Sequence, residues 1–187
     1  MKTRKRRIAV IGGGLGGLTA TIAIARNEFD VQVFEQARDL REVGAGISIT
    51  PNGVKVLRAL GLEDALRARG FEPEAVIGRD WTTARPVFCV PLKDVAAARY
   101  GAPNIDFHRA DLLDILATNA RLTCRINLDS RCVAVSSSDR GAIVTLSDGR
   151  REEFIWWWAA TESIRWSARR CTGAMRRDSP ATCAGAH

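Results

Sequence analysis

Apolar and polar positions change period several times along this chain, and each change marks an element. Ile8 to Ile11 form an unbroken apolar run, which suits a strand covered on both faces. Leu18, Ile22 and Ala25 then recur at helical spacing, and Val31 to Phe34 return to a strand. Further on, Thr50 stands as an N-cap and Pro51 at the first helical position, ahead of an amphipathic helix with Val54, Leu57 and Leu60 turned inward. A second helix follows in "ADLLDILATNA". The alternating segments "RCVAVSSS" and "AIVTLSDG" predict a hairpin ending in the Asp148-Gly149 turn.

The link between the first strand and helix carries the first chemistry. Gly12, Gly14 and Gly17 fit the pattern GxGxxG. In that pattern the first glycine allows a tight turn, the second lets backbone approach a pyrophosphate, and the third lets helix and strand pack closely. A pyrophosphate would face the helix N-terminus, where free N–H groups and the helix dipole favour an anion. Glu35 follows the second strand, at the place where a carboxylate accepts hydrogen bonds from ribose hydroxyls and repels a 2′-phosphate. The expected fold class is therefore α/β, a Rossmann-like FAD or NAD(P)-binding domain built on a βαβ unit, with a β-hairpin excursion. The expected ligand is the ADP moiety of FAD or NAD.

Composition excludes other classes. The 187 residues with 46% hydrophobic content are enough for one globular core. The net charge of +7 divides into +4 over residues 1–154 (23 basic, 19 acidic) and +3 over residues 155–187 (5 basic, 2 acidic), so neither part is a basic patch. The run "KTRKRR" reads as a solvated tail ahead of the first strand, and no nucleic-acid partner is expected. Five cysteines without a CxxC and only two histidines predict no metal centre, and unpaired thiols fit a reducing, cytoplasmic setting. "MKTRKRRIAVIGGGLGG" imitates a secretory signal, but five glycines in six positions make a poor apolar helix. No stretch reaches the ~20 apolar residues of a membrane span.

Three further stretches, "FEQA", "VGAGISITPN" with its second glycine loop at Gly44 to Gly46, and "YGAPNIDFHRADLLDIL", join "GGGLGG" in a pattern covering most of residues 7–120. In these the chain resembles the class A flavoprotein monooxygenases, single-component aromatic hydroxylases that include salicylate hydroxylase and 6-hydroxynicotinate monooxygenase. The resemblance implies FAD as cofactor, NAD(P)H as electron donor and a small aromatic substrate. It carries the FAD contacts onto Gly12, Gly14, Leu15, Gly17, Glu35, Gln36, Arg41 and Arg109. Arg109 also stands just before a helix, where a guanidinium can fork onto a phosphate. The alternative for that residue is a surface pair with Asp111 or Asp114. Relatives acting on hydroxynicotinate carry a histidine where this chain has Ser48, so a salicylate-like hydroxybenzoate is the expected substrate. Since the flavin performs the oxygen chemistry, no catalytic side chain is assigned.

The family pattern then calls for a strand of the form D-L-V-V-G-A-D-G, and the chain instead reads "IWWWAATESIRW". Tryptophan has one codon, so Trp156 to Trp158 fix the bases TGGTGGTGG. Adding one G ahead of the Ile155 codon shifts the frame to read D, then L or M, then V-V-G, followed by triplets compatible with G-D-G. Residues 155–187 also hold no leucine or valine, yet four of the five tryptophans. The expectation is that residues 1–154 are a partial FAD-binding domain and residues 155–187 an out-of-frame, disordered tail. On that reading the last parallel strand is lost, and the chain as written holds FAD weakly and has no hydroxylase activity. The competing reading is a stand-alone dinucleotide-binding module with a genuine tail. A basic nucleic-acid binder rests only on scattered arginines.

Overall fold

The computed structural model describes residues 5–41, 45–138 and 141–160. In chain order the elements are β1 (Arg7–Ile11), α1 (Leu15–Ala25), β2 (Asp30–Phe34), β3 (Gly46–Ile49), α2 (Pro51–Ala59), α3 (Glu63–Arg69), β4 (Ala75–Arg79) and β5 (Pro86–Pro91). They continue with α4 (Lys93–Tyr100), β6 (Ile105–His108), α5 (Arg109–Arg121), β7 (Arg125–Asn127), β8 (Cys132–Ser138), β9 (Gly141–Leu146), β10 (Arg151–Phe154) and β11 (Trp156–Ala159).

The central sheet has the order β11-β1-β2-β7, and every neighbouring pair is parallel. Its inner strands are largely apolar on both sides because both sides are covered, with Gln32 of β2 a buried polar exception. Val10, Val31 and Val33 form one buried cluster with Ile24 and Ala25 of α1 against it. On the opposite face Ala9, Ile11 and Phe34 meet Val144, Leu146 and Phe154. The rings of Phe34 and Phe154 pack edge to face, with centroids 5.7 Å apart. The largest core lies among the helices, where Leu18, Ile22, Val54, Leu57, Leu66, Ile105, Leu112 and Leu116 are all buried. Each such side chain contributes about 2 kcal/mol by leaving water.

The expected βαβ unit and the helix from Pro51 are both present, and Val54, Leu57 and Leu60 are buried as the pattern requires. Thr50 occupies the N-cap but makes no capping bond, since its hydroxyl is engaged with Asn52. The expected hairpin is part of a meander β8-β9-β10, in which Asp148-Gly149 turns the chain into β10. Gly149 has φ +87°, and the Asp148 carboxylate accepts the Arg150 N–H at 3.0 Å, which together close that turn.

Two expectations need correction. The last parallel strand is not lost: β11 pairs with β1 in register Ile8 to Trp156 through Ile11 to Ala159. Main-chain bonds from Ile155 N to Arg7 O (2.9 Å) and from Ala160 N to Ile11 O (2.8 Å) bracket it. A parallel ladder is made by backbone groups, and aromatic residues tolerate extended backbone, so the tryptophans are accommodated in the strand. The basic run, likewise, is not all tail. Arg7 lies in β1, donates to Glu152 Oε2 at 2.7 Å and stacks 4.5 Å from the Phe154 ring centroid, tying β10 to the sheet. The disorder expected of the tail beyond residue 160 falls outside the described residues.

Candidate functional site

The C-terminal ends of β1 and β2 bring the glycine turn and Glu35 together. Gly12 has φ +103°, a conformation that L side chains rarely adopt, and its N–H donates to Phe34 O at 2.8 Å. Gly14 is the N-cap of α1, with extended backbone and no side-chain cap. A Cβ built on Gly14 meets nothing within 4 Å, so its outer side is open to an approaching group. Gly17 faces the other way: a Cβ there would press into the Gly12 carbonyl, 3.1 Å from its carbon, and stand 3.3 Å from the Ala160 Cβ. The three glycines thus divide into the turn, the approach and the close packing that their spacing predicts.

The first turn of α1 holds no acidic residue and no side-chain cap, so its leading N–H groups and dipole remain available to an anion. Beside them the Glu35 carboxylate is fixed at both oxygens: Oε2 accepts the Gly13 N–H at 2.5 Å and Oε1 the Ala37 N–H at 2.8 Å. Its main chain is pinned as well, donating to Asn127 O and accepting from Ser130 N. Each carboxylate oxygen keeps a further lone pair for a hydroxyl.

The other residues singled out are placed less centrally. Leu15, half-buried, opens α1 and packs on the helical core. Gln36 is exposed just after Glu35, and Arg41 is exposed with its guanidinium 3.6 Å from Asp39. Arg109 is half-buried as the first residue of α5, and its N–H donates to Ala45 O at 2.9 Å, so it sits against the second glycine loop. Gly44 of that loop lies outside the described residues. Asp114, one proposed partner for Arg109, is held by Arg69 at 2.5 Å.

One feature escaped the sequence reading. Strands β3 and β6 form an antiparallel ribbon whose Ile47, Ile49, Ile105 and Phe107 face the core. Their other face lines a cavity of about 520 Å³ that includes Ser48, Phe71, Asp106 and His108. Ser48 stands opposite Asp106, whose Oδ1 is buried without a hydrogen-bond partner. The alternation of "GISI" with "IDFH" was the available signal, hidden because each stretch is only four residues long. Among the described residues no group of three or more His, Cys, Asp or Glu could hold a metal ion, and no helix is long and apolar enough to cross a membrane.

Comparison with known proteins agrees with this geometry. Residues 10–56 match the family model of an NAD(P)-binding Rossmann-like domain. The chain is 37% identical over 149 residues to 6-hydroxynicotinate 3-monooxygenase of Bordetella bronchiseptica, covering 80% of this chain and 39% of the relative. It is 39% identical over 149 residues to 3-amino-4-hydroxybenzoate 2-monooxygenase of Streptomyces cremeus, again covering 80% of this chain but 38% of the relative. Among solved structures it superposes on HpxO of Klebsiella pneumoniae, complexed with FAD and uric acid, with a TM-score of 0.70 at 26% identity, over 81% of this chain and 38% of that one. The chain therefore spans about two fifths of the length of the relatives it matches, and those relatives are aromatic-substrate monooxygenases.

Proposed function

We propose that this chain, homologous to the flavin-dependent aromatic monooxygenases, is the FAD-binding part of an enzyme that hydroxylates a small aromatic acid using NAD(P)H and O₂. The observation that carries the reading is the open N-terminus of α1 at Gly14 beside the doubly anchored Glu35. Such a cradle suits a pyrophosphate followed by a ribose, and Gly17 leaves no alternative to a close helix–strand packing around it.

In this reading the amides at Gly14 and Leu15 take the pyrophosphate, Glu35 takes the adenosine ribose, and Gln36 and Arg41 flank the adenosine. Arg109 supplies a guanidinium to the phosphates or the ribityl chain from the start of α5. FAD, when bound, provides the oxygen-activating chemistry, and the protein binds, orients and excludes water. A hydroxybenzoate is the favoured substrate class, because Ser48 offers a neutral hydroxyl on the open face of β3. That substrate assignment extends the activities of the relatives, which include both a hydroxynicotinate and an aminohydroxybenzoate monooxygenase.

Residues 155–187 belong, on the same proposal, to a shifted reading frame. The register supports it: Trp156 to Ala159 occupy the strand positions where the restored frame reads L-V-V-G. Sequencing the coding DNA from the Asp148 codon to well past the present stop tests this, and a confirmed written frame whose neighbouring frame does not stay open for about another domain length overturns it.

The cofactor proposal is tested by titrating the purified chain with FAD and following flavin fluorescence. Weak but saturable binding that falls with Glu35→Ala is expected, with no NADH oxidation dependent on a hydroxybenzoate. Binding unaffected by Glu35→Ala and by Gly14→Ala removes the proposal. A second reading, a stand-alone dinucleotide-binding module, draws on the ordered pairing of β11, which gives the central sheet its fourth strand. Tight FAD or NAD binding at one equivalent by the chain alone favours that module.

A further inference from the structure

Successive residues of β2 point to opposite faces of the central sheet. Val31 and Val33 pack with Ile24 and Ala25 of α1, and Phe34 meets the meander β8-β9-β10. Gln32 stands on the Phe34 face, one pleat nearer the start of the strand, between its pairing partners Ala9 and Arg125. It is 6% exposed, yet its side-chain amide makes no hydrogen bond to another described residue. A buried amide takes its partner from whatever space it opens on. Here that space is a hollow of about 390 Å³ at the N-terminal ends of β1 and β2, lined also by Lys5, Arg7, Phe29, Asp30 and Thr123.

The charges in this hollow do not satisfy one another. Arg7 is engaged elsewhere, donating to Glu152 Oε2 at 2.7 Å and to Glu153 O at 3.0 Å. That leaves the Lys5 ammonium and the Asp30 carboxylate, neither of which forms an ion pair with another described residue. Both side chains are exposed, and pairing them directly would contribute at most about 1 kcal/mol in water. A cation and an anion held apart, with an unbonded amide between them and the Phe29 ring as an apolar wall, are complementary to a zwitterion. We propose that the hollow binds an α-amino acid with an aromatic or large apolar side chain. Lys5 and the Gln32 amide donate to the ligand's carboxylate, Asp30 accepts from its ammonium, and Phe29 borders its side chain. Strands of five residues separate this hollow from the glycine turn at their other ends by roughly 15 Å, so the proposal stands apart from the flavin reading.

The test titrates the whole chain with L-phenylalanine and follows the backbone amide signals of residues 29–32 and 123 by heteronuclear NMR. Saturable shifts with a Kd of about 1 mM or tighter are expected. 3-Phenylpropionate lacks the ammonium and phenethylamine lacks the carboxylate, and each should bind at least about tenfold more weakly. Asp30→Asn should remove the preference over 3-phenylpropionate, and Lys5→Gln the preference over phenethylamine; both positions are on the surface, where the fold does not depend on them. Gln32→Leu, which suits the same strand, should weaken L-phenylalanine at least about fivefold. Absence of saturation by L-phenylalanine overturns the proposal. Equal binding of 3-phenylpropionate also overturns it, because the hollow then takes anions in general, and so do variants at Lys5 and Asp30 that discriminate as the parent does.

Discussion

The α-carbon of Gly17 and the carbonyl of Gly12 are packed so closely that a methyl group at position 17 has no room, with the Gly12 carbon at 3.1 Å from where it would stand. The obstacle is backbone, which cannot rotate away. Gly17→Ala must therefore push α1 off β1, and it should cost about 3 kcal/mol of stability. Urea denaturation of the two proteins measures this, and a loss under ~0.5 kcal/mol would show that the helix slides freely.

Gly14→Ala makes the opposite experiment. Its φ of −72° suits any residue and no atom lies within 4 Å of the added carbon, so stability should change by less than ~1 kcal/mol. FAD or ADP affinity should nevertheless fall about tenfold or more, because the methyl enters the space over the helix N-terminus. Equal losses at positions 14 and 17, in both stability and affinity, would contradict the division of labour between the two glycines.

Trp157 is the one tryptophan of β11 turned toward the body of the protein: it packs on the Phe34–Phe154 cluster, and its indole N–H donates to Ser137 Oγ at 3.2 Å. Trp156 and Trp158 are 57% and 48% exposed. Trp157→Ala should cost ~2 kcal/mol, and Trp156→Ala less than ~1 kcal/mol. Thermal melts of the two variants compare them directly, and a larger loss at Trp156 would mean that the strand is turned over.

Acid sensitivity has a local source. The Arg58 guanidinium beside Glu63, at 2.6 Å, holds that carboxyl below its ordinary value of 4.5, and Arg67 adds to the effect. A carboxyl lowered on folding contributes stability above its unfolded value, and the contribution is lost as pH falls through the lowered one. Glu63→Gln should therefore lower stability at neutral pH and converge with the parent as pH falls below the ordinary carboxylate range, which flattens the acid limb of the stability curve. A denaturant midpoint measured across the acid range in both proteins reads this out; parallel curves would exclude the pair as a source.

Burial pushes the Cys124 and Cys132 thiols up, whereas Cys89 lies exposed on β5. Iodoacetamide near neutral pH should modify Cys89 ahead of the other two, since the thiolate is the reactive form. Peptide mass spectrometry over time gives the order, and early labelling of Cys132 would show that the meander opens.

Much of the fold around the glycine turn was legible because long-period signals coincide there: an apolar run, helical spacing and glycines whose positions serve three separate steric ends. Glu35 could be named from its place in the order of elements, but its grip on the Gly13 and Ala37 amides could not, since that depends on how the loop folds back. The ribbons β3–β6 and β4–β5 were missed for different reasons. The first joins four-residue strands far apart in sequence, and the second has no polar face to set a period-two alternation. The tryptophan strand was misjudged because side-chain pattern argued against it, while its place is held by main-chain bonds that any extended segment can make.

Pairing of β11 with β1 shows how little a parallel sheet inspects what joins it. The ladder recognises amides and carbonyls, which are the same for every side chain, and leaves bulky residues to stand on the outer face. A fold of this kind is a poor proofreader of its own edge: on the proposed shift of frame, a slip of one base is sheltered as a regular strand, and its cost appears as exposed tryptophan surface at Trp156 and Trp158.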